Sequence, residues 1–394
     1  LQVPCISSKG ISLQSVAKGA IDWSKLEDEQ EKGAIMEKKL NLESSIRKSI
    51  GQRREEINLA DFSLTKSKYL SAGQLLPLVV EPTVAGVNLA RWAANSQESL
   101  GRELAKHGAI LFRNFPIDSP AKFEAFARAV SADGDLFDEY GDLPREQPGA
   151  KVYGSTPYPA DKAILFHNES SHTHRWPMKI FFYCVKAAQK QGATPLLDCR
   201  KTYQAIDPAI IKRMTEKKLM YVRNFISGLD VSWQQFFQTT DKKRVEDYCH
   251  KASIDFEWKG EDRLTTRQVC QAIARHPHTG EMLFFNQIQL HHISCLDPEV
   301  RASMLAMFPE EDLPRHVYYG DGTPIEDSVV AEISAIYEQQ AVRFQWQPGD
   351  VIVLDNMMVA HARDPFEGTR KILVAMAEMV SQKDLQENFS ESVR

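Results

Sequence analysis

A mainly β fold with helices on its outside, a double sheet of the jelly-roll, cupin-like kind, is what this sequence of 394 residues predicts. Three observations carry that expectation. Short apolar runs of strand length recur along the C-terminal two thirds of the chain. Turn sequences such as QGAT, HPHTGE and QPGD bound several of them. The helical patterns, by contrast, gather ahead of these runs or in long excursions between them, which places helices around a sheet core rather than alternating with its strands.

Taken in order, the chain opens with a charged stretch poor in aromatic residues, DWSKLEDEQEKGAIMEKKLNLESSIRKSIGQRREEINL, whose main apolar positions are Ile35, Met36, Leu40, Leu42 and Ile46. Residues 1–68 read as a helical extension or linker, a solvated surface element, and residues 69–394 as the folded domain. In that domain LLPLVVEP is a strand, SQESLGRELAKHG a helix stopped by Gly108, AILFRNF a short buried strand and Ala121 to Val130 a second helix. The strand signals then accumulate as KAILFHNE, KIFFYCVKAA, TPLLD, EMLFFNQIQL, VRFQW, DVIVLDNMMVAHAR and RKILVAMAEMV, with a polar, partly helical insertion from about Lys201 to Arg267.

Composition excludes several classes of function. A hydrophobic content of 43% supports a substantial core, yet no apolar run approaches the roughly 18 to 20 residues of a membrane span. The stretch LQVPCISSKG lacks a signal-peptide pattern, so the expectation is a soluble, cytoplasmic protein. A net charge of −5 with acids and bases interspersed offers no basic field for nucleic acid. The cysteines Cys5, Cys184, Cys199, Cys249, Cys270 and Cys295 form no CxxC pair and read as reduced, largely buried thiols.

Chemistry concentrates in FHNESSHTH, Phe166 to His174. His167 and Glu169 end the strand KAILFHNE, and side chains two apart on a strand share a face, so both reach one metal ion. A third ligand is available in His361, within VIVLDNMMVAHARDPF. Two histidines and one carboxylate on one face of a metal leave open positions, the arrangement of non-haem Fe(II) oxygenases. On ligand type alone a zinc site of His167, His172 and His174 is a rival, although it leaves Arg370, shortly after His361, unexplained.

Four segments, LAKHGAILFRNFP, YPADKAILFHNESSHTHRWPMKIFFYCVKAAQKQGATPLLDCRK, MLFFNQIQLHH and WQPGDVIVLDNMMVAHARDPFEGTRKILVAM, resemble in order the taurine dioxygenase family of Fe(II)- and 2-oxoglutarate-dependent enzymes, in particular its SyrP-like branch. The resemblance spreads over almost all of residues 70–380 and implies a double-stranded β-helix. It implies His167, Glu169 and His361 as iron ligands, O2 at an open position, and 2-oxoglutarate anchored by Arg370 with help from Thr194. Where the branch commonly has GETP, this chain has Ala193 before Thr194. Relatives that halogenate lack the carboxylate found here at Glu169, so hydroxylation is the expected reaction. Ser155, His172, Asn286 and Arg363 are the candidates for contact with substrate, with Gln289 beside Asn286 and with His291 and His292 read as packing residues.

For substrate, the resemblance implies an amino acid hydroxylated at its β-carbon, free or tethered to a peptidyl carrier protein of a nonribosomal megasynthase. LEDEQEKGAIMEKKL is similar to the linker motif of such assemblies. Desaturation would use the same iron site, and a catalytically silent cupin-like scaffold is the alternative from another class.

Overall fold

The computed structural model describes residues 64–137, 151–155, 158–226 and 228–383. The expected N-terminal extension lies outside the described residues but for its last few, and of these Thr65 to Lys68 belong to the first strand.

Eighteen strands follow in the described residues: β1 Thr65–Tyr69, β2 Leu78–Pro82, β3 Ala109–Phe112, β4 Tyr153–Gly154, β5 Ile164–His167, β6 Arg175–Lys186, β7 Lys190–Gln191, β8 Leu196–Asp198, β9 Leu219–Phe225, β10 Asp255–Lys259, β11 Arg263–Cys270, β12 Ile273–Arg275, β13 Met282–Phe284, β14 Arg315–Tyr319, β15 Val351–Asp355, β16 Val359–Arg363, β17 Phe366–Glu367 and β18 Lys371–Ser381. Seven of them form one sheet in the order β1-β2-β3-β15-β6-β18-β4, and three form a second, β5-β16-β8. The chain adopts a sheet-rich mixed α and β fold.

The large sheet is buried on both faces, which explains why β3 (AILF) and β15 (VIVLD) read as continuous apolar runs rather than alternating ones. Alternate residues part to opposite sides. Ile110, Phe112, Phe181, Tyr183, Val351 and Val353 pack in one cluster with Phe123 and Phe126 of helix Pro120–Val130. Leu111, Ile180, Phe182, Ile352 and Leu354 pack in another with Phe166, Leu196, Leu197, Val359 and Ala360 of the small sheet. Helix Pro120–Val130 starts where Ser119 accepts a hydrogen bond from Lys122 N and Pro120 takes the first helical position, and it sets Phe126 at 5.0 Å from Phe112, ring centre to ring centre.

Three expectations need correction. EMLFFNQIQL is not one strand: β13 stops at Phe284, and Ile288–His291 is a helical turn. VRFQW forms no strand and contributes only a bridge, Leu196 to Val342. The insertion is not merely polar and helical, because β9, β10 and β11 join β14 in a four-stranded sheet. Its central strand LMYVRNF was masked by two polar residues that the fold satisfies locally. Asn224 donates to Glu311 O and Leu313 O, and Arg223 lies over the rings of Phe225 and Phe236 at 4.7 and 4.5 Å.

Among the described residues no helix is long and apolar enough to cross a membrane. Cys184, Cys199, Cys249 and Cys270 are buried and free, and burial pushes the thiols of Cys184 and Cys199 up to about 12, so neither is a nucleophile near neutrality.

Gly108 ends helix Gln97–His107 as expected, with φ 74° and its N–H donated to Leu104 O at 2.7 Å. A Cβ there would stand 2.6 Å from Val359 Cγ2, at the start of β16. Gly108→Ala is therefore expected to combine left-handed strain with overpacking and to cost about 2–4 kcal/mol, read as a fall in the urea midpoint. A midpoint equal to that of the parent protein would show that the helix end tolerates a side chain.

Candidate metal centre

The register of the small sheet brings the proposed ligands together. β5 and β16 pair antiparallel with His167 directly opposite His361, and the imidazole centres are 4.4 Å apart. Glu169 follows two residues later. The sequence argument placed it on the strand, but β5 ends at His167 and Glu169 lies in the turn beyond, next to Ser170 with φ 57°. The turn rather than strand alternation returns its carboxylate to His167, with Oε2 at 3.9 Å from Nε2. One donor atom from each of His167, Glu169 and His361 lies within 4.8 Å of the others.

The donor chemistry suits a metal. His167 Nδ1 lies 2.8 Å from Leu165 O, and since a carbonyl only accepts, the proton sits on Nδ1 and Nε2 presents a lone pair toward Glu169. Two nitrogen donors and a carboxylate, partly open to solvent at His167 and Glu169 and closed at His361, match a first-row divalent ion with positions to spare. The zinc alternative does not assemble. His174 Nε2 bonds Val269 O at 2.9 Å, and the His172 ring packs against those of Tyr221 and His291. Among the described residues the one metal-capable group is His167, Glu169 and His361.

A brace from the segment after β13 holds the ligand-bearing chain. Phe166 N donates to Gln289 Oε1 at 3.2 Å, Gln287 Nε2 to Asn168 O at 2.9 Å, and Asn168 N to Asn286 O at 3.4 Å. Sequence reading offered Asn286 and Gln289 as pocket residues on a strand. Instead Gln289 and Gln287 act on the backbone either side of His167, while the Asn286 amide is engaged by Ala272 O and Ile288 N. Their role was hidden because it depends on a helical turn, Ile288–His291, that the apolar run concealed.

A second polar centre surrounds Arg370. The segment Gly192 to Pro195 is zipped to Ala362 to Pro365 by Gly192 N to Pro365 O, Asp364 N to Ala193 O and Ala362 N to Pro195 O, while Leu196 pairs with His361 in the sheet. Arg370 Nε donates to Gly192 O at 2.9 Å and Nη2 to Thr194 Oγ1 at 3.1 Å, and Trp346 Nε1 donates to the same hydroxyl at 3.0 Å. Burial, and then the nearby positive charge of Arg363, lowers Arg370 to about 10. No carboxylate of the described residues stands within ion-pair distance of it, so the guanidinium is a largely desolvated cation.

The remaining candidates divide. Arg363 is buried, but its guanidinium donates to the carbonyls of Tyr158, Pro159 and Lys162, which ties the chain leading into β5 to β16. Three of its N–H groups are thus held by backbone carbonyls, while its buried Nε makes no hydrogen bond. Ser155 sits at the edge of the large sheet with its N–H on Ile372 O at 3.0 Å. His292 is a packing residue, bonded to Ser294 Oγ and Ile325 O.

Comparison with known proteins identifies the family. The family model of taurine catabolism dioxygenase TauD, TfdA family, matches residues 71–376. The dapdiamide synthesis protein DdaC of Enterobacter agglomerans is 39% identical over 285 residues, 72% of this chain and 86% of that protein. A clavaminate synthase-like protein of Arabidopsis thaliana is 26% identical over 343 residues, 82% of this chain and 99% of that one. Among solved structures, the PvcB protein of Pseudomonas aeruginosa superposes with a TM-score of 0.47 at 14% identity, over 76% of this chain and 84% of that one. The matched span takes in both histidines, Glu169, Thr194 and Arg370, and the chain belongs to the TauD, TfdA family of dioxygenases, which use Fe(II), 2-oxoglutarate and O2.

Proposed function

We propose that this dioxygenase hydroxylates an unactivated C–H bond of an amino acid, at the β-carbon, free or held on a peptidyl carrier protein, and that its two sheets are the halves of a double-stranded β-helix. The observation that carries the reading is the pairing of a complete His167, Glu169 and His361 set with the anion-seeking Arg370 and Thr194 beside β8. A relative of 39% identity named for dapdiamide synthesis supports a biosynthetic setting, and the carboxylate at Glu169 favours hydroxylation over halogenation.

With the bound group in place, iron, 2-oxoglutarate and O2 supply the oxidising power, 2-oxoglutarate leaving as succinate and CO2. The protein's own residues supply position. His167, Glu169 and His361 would hold the metal, which would supply the redox chemistry. Arg370 keeps the N–H groups of Nη1 and the second N–H of Nη2 for the distal carboxylate, since Nε is spent on Gly192 O and one Nη2 proton on Thr194 Oγ1. Thr194 Oγ1 accepts from both Arg370 and Trp346, so its own proton is left to donate, and a carboxylate oxygen is the natural acceptor. Gly192 makes room for this arrangement: a Cβ would stand 3.2 Å from Arg370 Cδ and 2.9 Å from Phe366 Cβ, at φ +71°.

Mass spectrometry of free and carrier-loaded amino acids after incubation with the reconstituted enzyme tests the reading. Gain of one oxygen atom supports it, and loss of two hydrogens would assign desaturation instead. Absence of any product over a broad panel, with no metal or 2-oxoglutarate bound, would point to a silent scaffold.

His167→Ala, Glu169→Ala and His361→Ala are each expected to reduce succinate formation below about one hundredth of the parent rate while leaving the fold intact, as judged by circular dichroism. Near-normal turnover in any of them would remove that residue from the metal set.

For Arg370→Leu the expected result is a KM for 2-oxoglutarate raised at least ~30-fold with metal affinity unchanged, since removing one partner of a buried charge pair costs about 2–5 kcal/mol. Arg370→Lys should restore part of the loss. Unchanged 2-oxoglutarate saturation in the Leu variant would assign Arg370 to the organic substrate.

A further inference from the structure

Glu169 is the one proposed ligand outside a strand, and its backbone is gripped by a single side chain. Glu169 N donates to Asn356 Oδ1 at 2.8 Å, while Asn356 Nδ2 donates back to Glu169 O at 2.9 Å. The other Nδ2 proton goes to Pro177 O at 2.9 Å in β6, so the amide has spent both donors and its acceptor. The main chain of Asn356 is committed too: its N–H donates to Met178 O at 2.9 Å and its carbonyl accepts from Asn168 Nδ2 at 2.7 Å. Asn356 is fully buried.

The position of this residue matters as much as its bonds. Asn356 lies in the short turn between β15 and β16, five residues before His361, so one turn fixes both the strand that carries His361 and the loop that carries Glu169. That turn is itself locked. Asp355 Oδ1 accepts from Met357 N and Met358 N, both at 3.0 Å, and Asp355 Oδ2 lies 3.0 Å from His276 Nε2. His276 Nδ1 accepts from Thr279 N at 3.1 Å, which leaves the proton on Nε2 to be donated to Asp355.

We infer that Asn356 is a positioning residue for the metal, its amide clamp on the Glu169 backbone setting the carboxylate against His167 and His361, with the His276–Asp355 pair holding the turn that carries it. A clamp on the main chain holds the ligand in register whether or not metal is bound, and so lowers the ordering cost of binding. The inference rests on the reading of His167, Glu169 and His361 as the metal ligands.

Cobalt(II) alone, titrated anaerobically into the metal-free full chain and followed by its visible absorption, tests this without turnover. Asn356→Ala is expected to weaken the cobalt Kd by about 10–100-fold and to alter the absorption envelope, while the KM for 2-oxoglutarate at saturating Fe(II) stays within about threefold of the parent, because Arg370 is untouched. Asn356→Asp keeps the size and one acceptor and is expected to fall between the two. If Asn356→Ala does not fold, the Asp variant decides: a weakened Kd in a natively folded protein supports the inference. Parent-like cobalt affinity and spectrum in either folded variant overturn it, since a purely structural amide would alter stability and not metal binding. Glu169→Ala is the control: equal cobalt binding by it and by the parent protein would overturn the ligand reading and the inference with it.

Discussion

The register between β5 and β16 is the constraint on which the rest of the site depends. Opposing His167 and His361 across one ladder places two imidazoles 4.4 Å apart with no flexible link between them. A slip of one residue would turn one ring to the opposite face and dissolve the pair. The fold spends much of its interior securing that register. Phe166 and Ala360, adjacent to the two histidines, are buried in the core cluster between the sheets, and β8 pairs with β16 along its other edge.

Electrostatics supplies the second organising element. Arg370 and Arg363 are both buried cations in one region, and burial lowers both below the ordinary arginine range. The two solve the same problem differently. Arg363 disperses its charge onto three backbone carbonyls and so becomes a tie between the β5 approach and β16. Arg370 keeps part of its fork unspent next to a hydroxyl whose proton is also unspent. That difference in hydrogen bonding, rather than any difference in residue type, distinguishes the two buried arginines.

How much of this was legible in the sequence follows from how local each signal is. Gly108 as a helix stop, the helix over Ala121 to Val130 and the apolar runs of β3, β6, β15 and β18 depend on neighbours within a few residues, and the strands and helices lie where those runs are. The HxE pair and His361 were visible as residue types at telling separations, whereas the pairing of Arg370 with Thr194 came only from the family resemblance. The four-stranded sheet was not, because Arg223 and Asn224 interrupt β9 and are satisfied only by rings and carbonyls far along the chain. Asn356 and Gln287 were missed, and the brace made by Gln289 went unread, for the same reason: each acts on backbone more than a hundred residues away. Their only local trace is an Asp-Asn pair before a strand and glutamines in an apolar run, which carry no sign of a distant partner.

The central claim, that one metal sits between β5, its following turn and β16 with an anion held at Arg370, is tested most directly by anomalous diffraction at the iron edge from anaerobic crystals grown with Fe(II) and 2-oxoglutarate. The account predicts one iron peak bonded to His167, Glu169 and His361, and the distal carboxylate of 2-oxoglutarate on Arg370 and Thr194. An iron peak on His172 or His174, or a 2-oxoglutarate whose distal carboxylate lies away from Arg370, would contradict it.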